Sequence, residues 1–280
     1  MSNNFQPQVY VHGSKLKNKV ISSPELQPLL EIYAQWKDRS LAVAGRTDED
    51  IILLTSYLNE YKNAVESTFD ARANSAQEVL QPSILEEFFE YLFCQLDAEL
   101  QLSLLRRPDS GFIDLAFNPK SLRDLMTSPD YTIRRKDHDF VIGASIEMNL
   151  TVPGGNPTQT DTLVIPAVAI ECKRYLERNM LDECSGTAEK IKKATPYCLY
   201  IIVSEFLKMD DASPELSRID EIYVLRKQRN SERLSQGFVP NPIYGELVID
   251  IYRQVQRHLN RVWWNPQSAI TNGKAFNFPA

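Results

Sequence analysis

The chain has 280 residues, 43% apolar and 24% charged, with 10 Gly, 16 Pro and no polar low-complexity tract; these are the proportions of a folded globular protein of one large or two ordinary domains. Thirty-one Lys and Arg against 37 Asp and Glu give a net charge of −6, which excludes a global basic field but not a local basic face beside an acidic centre. No apolar run reaches the ~20 residues of a membrane span, and Met1 to Tyr10 lacks the basic-then-apolar character of a signal peptide, so the expectation is a cytoplasmic protein with no membrane partner.

Residues 1–23 are polar and mixed, with Lys15, Lys17 and Lys19 close together, and read as a loose arm. Residues 24–80 form a helical region of about two helices: Leu26, Leu29, Leu30, Tyr33 and Trp36 recur at helical spacing, then Ile51, Leu54, Tyr57, Leu58 and Tyr61. Thr47 followed by Asp48, Glu49 and Asp50 marks a helix start. Pro82 and Ser83 open a stronger helix over about 83–101, with Ile84, Leu85, Phe88, Phe89, Leu92, Phe93 and Leu96 on one wide buried stripe.

A short strand is expected at 111–117 and a longer one at 139–152, followed by a turn at 153–159 where Gly154, Gly155 and Asn156 can take positive φ. The apolar run 162–172 reads as a central strand, with a bulge where Pro166 cannot donate to the ladder. An amphipathic helix at about 178–194, a buried strand at 197–206, a strand at 221–227 and a last helix at about 242–262 complete the pattern. The sum is an α/β (α+β) core running from 81 to 235, with a C-terminal helix and tail over 236–280. Cys94, Cys172, Cys184 and Cys198 show no CxxC pair and no zinc-finger His spacing, so they are expected to be reduced, mostly buried thiols.

The chemistry concentrates in Ala169-Ile170-Glu171-Cys172-Lys173, where an apolar strand ends in a carboxylate and an ammonium two residues apart, on one face of the sheet. That pair suits metal-assisted phosphodiester hydrolysis, in which a carboxylate holds Mg²⁺ and a lysine positions water or stabilises charge. A second carboxylate is required. Asp161 fails, because ten residues of extended strand hold it roughly 33 Å from Glu171. If 139–152 and 162–173 form a hairpin about Asn156, Asp139 falls opposite Lys173 and residue 141 opposite Glu171, within reach of a shared ion; Asp137 is the reserve, one pleat farther out.

His138-Asp139-Phe140-Val141-Ile142 followed by Ile170-Glu171-Cys172-Lys173 resembles the PD-(D/E)xK motif of the type II restriction endonuclease superfamily, with His138 where the motif name has Pro. The helix, three-strand meander, helix, strand order of 83–206 resembles that core, and the motif context is similar to subunits of BbvCI-like restriction enzymes, which cut asymmetric sites with two non-identical subunits. The resemblance implies a Mg²⁺-dependent endonuclease subunit acting on double-stranded DNA in a bacterial cytoplasm, leaving a 5′-phosphate and cutting one strand per subunit beside a second, non-identical subunit. It places Asp139 and Glu171 on the metal, with the Cys172 carbonyl as third ligand, Lys173 on the attacking water, and Glu87 or Glu86 of the first core helix assisting. Arg134, Arg135 and Lys136 are the expected phosphate contacts, with Arg229 and Arg233 in a further basic cluster that includes Arg226. The alternatives are a repair or structure-selective nuclease of the same fold and a catalytically silent DNA-binding protein. Trp263 and Trp264 read as packing of the last helix against the body, or as a subunit contact, rather than a base-stacking platform.

Overall fold

A computed structural model describes residues 7–70, 76–128, 130–155, 158–234, 237–261 and 265–273. Three helices come first, α1 (Val11–Ser22), α2 (Gln27–Ala42) and α3 (Asp48–Asp70), followed by the central helix α4 (Ala76–Phe93) and the short α5 (Leu96–Leu100). The sheet strands are β1 (Leu105–Phe117), β2 (Tyr131–Leu150), β3 (Gln159–Leu176), β4 (Leu199–Leu207) and β5 (Glu221–Val224). Helix α6 (Leu122–Thr127) joins β1 to β2, α7 (Arg178–Ala194) crosses from β3 to β4, and α8 (Gly245–Asn260) and α9 (Pro266–Asn272) close the described chain. Strand order is β1-β2-β3-β4-β5, antiparallel through β3 and parallel from β3 onward.

The periodicity of the N-terminal region translates directly into buried faces. Leu29, Tyr33 and Trp36 of α2 and Ile51, Leu54, Leu58 and Tyr61 of α3 are all in the core. Thr47 caps α3 reciprocally: Asp50 N–H donates to Thr47 Oγ1 at 3.3 Å and Thr47 N–H to Asp50 Oδ2 at 2.9 Å. Residues 11–22, read as part of a loose arm, are instead helix α1, with His12, Gly13, Leu16 and Val20 buried. Its packing explains the difference. Gly13 lies so close to α2 that a Cβ there would stand 2.1 Å from the Tyr33 hydroxyl, an approach that only glycine permits.

Helix α4 starts at Ala76, so Pro82 lies within it rather than opening it. From Leu80 to Phe93 every residue but Pro82 is buried. A helix covered on all sides shows no single apolar stripe. One face of the sheet packs Phe140, Ile142, Val168, Ile170 and Cys172 against α4 and α8; the other packs Ala169, Leu176, Tyr200 and Ile202 against α7. Phe93 stacks on Phe140 and Tyr252 at 5.8 and 5.7 Å between ring centroids.

Two of the three register shifts among the described strands bear on the site. Between Arg107↔Val141 and Asp109↔His138, Asp139 and Phe140 oppose the single residue Pro108. Between Ile142↔Val168 and Gly143↔Pro166, Ala167 is the extra residue of β3, which bears out the bulge expected at Pro166. Its freed carbonyl accepts a hydrogen bond from His258 Nε2 of α8 at 3.1 Å. Asn156, the expected centre of the β2–β3 turn, and Trp263 and Trp264 lie outside the described residues.

Four charged side chains hold the N-terminal helices to the sheet: Lys62 Nζ to Glu205 Oε1 at 2.8 Å, Arg226 Nε to Glu205 Oε2 at 2.9 Å, and Arg226 Nη2 to Glu66 Oε1 at 3.2 Å. Lys62, Glu205 and Arg226 are fully buried. Arg226 is therefore removed from the basic DNA-facing cluster that the sequence implies.

His12 yields a pH-dependent prediction. Ser83 Oγ gives its proton to Leu80 O at 2.8 Å, so it accepts from His12 Nδ1 at 2.9 Å, which leaves Nε2 to accept from Tyr61 at 2.6 Å. Burial, reinforced by the Lys62 charge, lowers the His12 pKa to about 3. Because the folded value lies below the unfolded one, its contribution is complete above the unfolded pKa of about 6.5 and is lost progressively as pH falls towards 3. Denaturant unfolding at pH 7 and pH 5 should show His12 costing the protein on the order of 2 kcal/mol over that interval. His12→Gln should fall less steeply; equal slopes would exclude a neutral His12.

Candidate active site

Phe140↔Ile170 is the last β2–β3 ladder pair before the motif, so continuing the ladder puts Asp139 opposite Glu171. The expectation of Asp139 opposite Lys173 was two residues out of register. The pairing still delivers the carboxylate to the place the argument needed. Neighbours in a regular strand point to opposite faces; the bulge at Asp139–Phe140 lets His138 and Asp139 both engage the same stretch of β3.

Asp139 Oδ2 accepts the Cys172 N–H at 2.7 Å and is 3.2 Å from Lys173 Nζ, which is 3.1 Å from Glu171 Oε2. The other oxygen of Glu171 accepts from His138 Nδ1 at 2.8 Å. Burial raises the Asp139 pKa, with the Glu171 charge adding to it against Lys173. For Glu171 burial pushes upward, but the His138 hydrogen bond and the Lys173 charge outweigh it and the net direction is down. Lys173 is raised: burial opposes its ammonium, and the charges of Asp139 and Glu171 prevail. The structure thus holds an ionised Glu171 beside a protonated Lys173.

The donor set fits a hard divalent cation. Two carboxylates converge, and the Cys172 carbonyl leaves β3 on the same edge as its N–H, towards Asp139. Among the described residues no three His, Cys, Asp or Glu side chains are preassembled around a metal position. The Cys172 thiol itself packs into the core, where burial raises its pKa well above the usual thiol value, so the sulfur is no thiolate ligand.

On α4 it is Glu86, not the expected Glu87, that lies on the side of the Asp139–Lys173 cluster. Its carboxylate accepts from Gly13 N at 2.9 Å, Tyr33 Oη at 2.8 Å and Tyr91 Oη at 2.5 Å, on the side of α4 facing α1 and α2. Glu86 interacts electrostatically with Asp139 and Lys173, and both its oxygens accept from Lys15 Nζ, at 3.2 and 2.9 Å. Lys15 went unrecognised as a partner of Glu86 because the chain before residue 23 read as an arm; the four-residue spacing of Leu16 and Val20 was the available signal of the helix that carries it.

The remaining expected residues lie elsewhere. Asp137 bonds Ser110 on β1, and Asp161 pairs with Met148 and accepts from Tyr131, so neither reaches the Asp139–Glu171 cluster. Arg134, Arg135 and Lys136 lie inside β2 rather than leading into it, paired with Asp114 at 3.3 Å, Asp161 at 3.7 Å and Glu183 at 3.0 Å. Arg229 pairs with Asp210. Arg233 bonds Asn230 Oδ1 at 3.2 Å and lines a cavity of about 280 Å³ with Arg174, the neighbour of Lys173. All four cysteines are free and buried, and among the described residues no helix is long and apolar enough to cross a membrane.

A mixed five-stranded sheet with a carboxylate pair and a lysine where its antiparallel and parallel halves meet defines a restriction-endonuclease-like fold. The sequence model of the Bpu10I restriction endonuclease family matches residues 77–270. The chain belongs to that family, and is a type II site-specific deoxyribonuclease by class. Among solved structures it is similar to a chain of the native BbvCI A2B2 tetramer, with a TM-score of 0.69 and 20% identity, covering 91% of this chain and 100% of that one. No curated protein matches.

The two glutamates of α4 should separate in experiment. Glu87→Ala leaves three buried donors unpaired and should lower the denaturant midpoint, with near-normal cleavage per folded molecule. Glu86→Ala should leave the midpoint almost unchanged and reduce cleavage at least tenfold. The reverse pattern would return Glu87 to the site.

Proposed function

We propose that this chain is one subunit of a Mg²⁺-dependent restriction endonuclease that hydrolyses a single strand of double-stranded DNA at a defined sequence and leaves a 5′-phosphate. The observation that carries this reading is Lys173 Nζ within 3.2 Å of Asp139 and 3.1 Å of Glu171, at the end of a sheet whose fold belongs to DNA-cutting enzymes.

Asp139, Glu171 and the Cys172 carbonyl would hold the ion, which when bound supplies positive charge beside the scissile phosphate. Lys173, kept protonated by both carboxylates, donates hydrogen bonds that orient the attacking water and offset the charge developing on phosphate oxygens. Glu86 adds a third carboxylate from the α4 side. Arg134, Arg135 and Lys136 are assigned to phosphates: they are at least a third exposed and their present ion pairs are surface pairs, worth well under ~1 kcal/mol each, so exchanging them for DNA costs little. Arg229 is equally exposed and is assigned the same role, with Arg233 beside it.

The chain carries one D…ExK cluster among its described residues, and each such centre performs one in-line displacement at a time. A duplex break therefore calls for a second centre on the antiparallel strand. The tetramer of the similar BbvCI structure supports a partner subunit, which we take to be a non-identical chain; cytoplasmic residence follows from the substrate.

Lys173→Ala in this chain, assembled with an intact partner, should convert linearisation of plasmid into nicking of one defined strand. Linearisation at the wild-type rate would mean that Lys173 is dispensable; loss of all cutting would mean that the two centres fire only together. Asp139→Ala and Glu171→Ala should each abolish cutting of that strand while the protein stays folded, with Asp161→Ala unaffected, as read by the same plasmid assay.

A further inference from the structure

His138 occupies the position for which the superfamily motif is named after proline, a residue that offers no side-chain donor. Here the imidazole is completely buried and Nδ1 lies 2.8 Å from Glu171 Oε1. A carboxylate oxygen only accepts, so Nδ1 carries the proton and the ring's orientation is fixed by that bond. Nε2 is buried and makes no hydrogen bond among the described residues. The polar capacity of the ring is thus spent on Glu171 alone.

The surroundings hold the ring in that orientation. Tyr200 meets it edge-on, with centroids 5.9 Å apart and planes at 79°. On another side lies Gly111 of β1, where a Cβ would come within 3.2 Å of His138 Cδ2 and 3.3 Å of Nε2. The bulge opposite Pro108 supplies the backbone offset that lets His138 reach Glu171 while its neighbour Asp139 reaches Cys172 and Lys173. With Oε1 held by His138 and Oε2 by Lys173, both oxygens of Glu171 are fixed in direction before any ion arrives.

We infer that His138 is a positioning residue: its Nδ1–H fixes the Glu171 carboxylate in the orientation that binds the divalent cation. It sets the protein's affinity for that ion without touching substrate. Partners that orient a ligating carboxylate are typically worth 10–100-fold in metal affinity. This inference rests on the proposed role of Glu171 as metal ligand.

The test uses Mn²⁺ alone as probe, titrated calorimetrically into the folded, DNA-free protein, with denaturant midpoints measured alongside. His138→Leu removes the donor at similar bulk. His138→Asn keeps an N–H close to the Nδ1 position. His138→Leu should weaken Mn²⁺ binding 10–100-fold, and His138→Asn should restore it to within about threefold of wild type even if both lose similar stability. In plasmid cleavage, His138→Leu should need correspondingly more metal for half-maximal rate yet approach the wild-type rate at saturation. His138→Ala serves as the donor-less variant if His138→Leu does not fold. Wild-type Mn²⁺ affinity in the donor-less variant, or equal loss in His138→Asn, would overturn the inference. Glu171→Ala is the separating control: unchanged Mn²⁺ binding there would overturn the metal site itself, whereas lost binding there with normal binding in the donor-less variant would overturn only the role of His138.

Discussion

The pairing of β2 with β3 is the constraint on which the rest of this molecule depends. It continues in one register from Phe140↔Ile170 to Ile142↔Val168, then shifts by one residue at Gly143↔Pro166. A slip of one residue in a ladder exchanges the faces of every side chain beyond it. Had the distal register continued to the site, Glu171 would oppose His138 and Asp139 would oppose Ile170. Pro166 prevents that outcome, because it cannot donate to its neighbour and sits at the bulge where the β2–β3 register shifts. Gly143 completes that bulge: a Cβ there would lie 2.1 Å from the Ile165 carbonyl.

The helices that precede the core are part of the same construction. Tyr33 of α2 and Tyr91 of α4 converge on Glu87, joined by the Gly13 N–H of α1. Lys62 of α3 enters the fully buried network with Glu205 of β4 and Arg226. Buried ions are costly to desolvate and expensive to leave unpaired, so such a network fixes one arrangement of α3 against the sheet. From this side Lys15 reaches Glu86, and a charge from outside the matched family region 77–270 thereby joins the surroundings of Asp139 and Lys173.

At the site, opposed electrostatic demands are met within a few residues. Burial disfavours charge on both carboxylates, yet Glu171 is held ionised by His138 and Lys173 while Asp139 is driven upward by burial and by Glu171. A cation other than Lys173 would relieve the repulsion between them, as the metal proposed above would. The TM-score of 0.69 at 20% identity to the BbvCI chain shows that the fold persists while most residues differ.

Much of this was legible in the sequence, for local reasons. Apolar spacing along 26–61 gave the buried faces of α2 and α3, the uninterrupted apolar run gave β3, Pro166 gave its bulge, and the proximity of Asp139, Glu171 and Lys173 was foreseeable because strand parity and extended-chain length are local arithmetic. Length alone removed Asp161. What the chain could not reveal locally were relations between distant segments. Glu86 and Glu87 differ only by which neighbours pack against a helix buried on every side, and α1 becomes a helix because Tyr33 and Glu87 receive Gly13. Arg226 looks like any basic loop residue until Glu66 and Glu205 close around it. His138 became a partner of Glu171 only through a bulge whose effect depends on β1 lying alongside. Spacing along the chain determined which groups could perform the chemistry; packing across it decided which face each one points to, because burial and pairing are properties of neighbours that sequence distance does not encode.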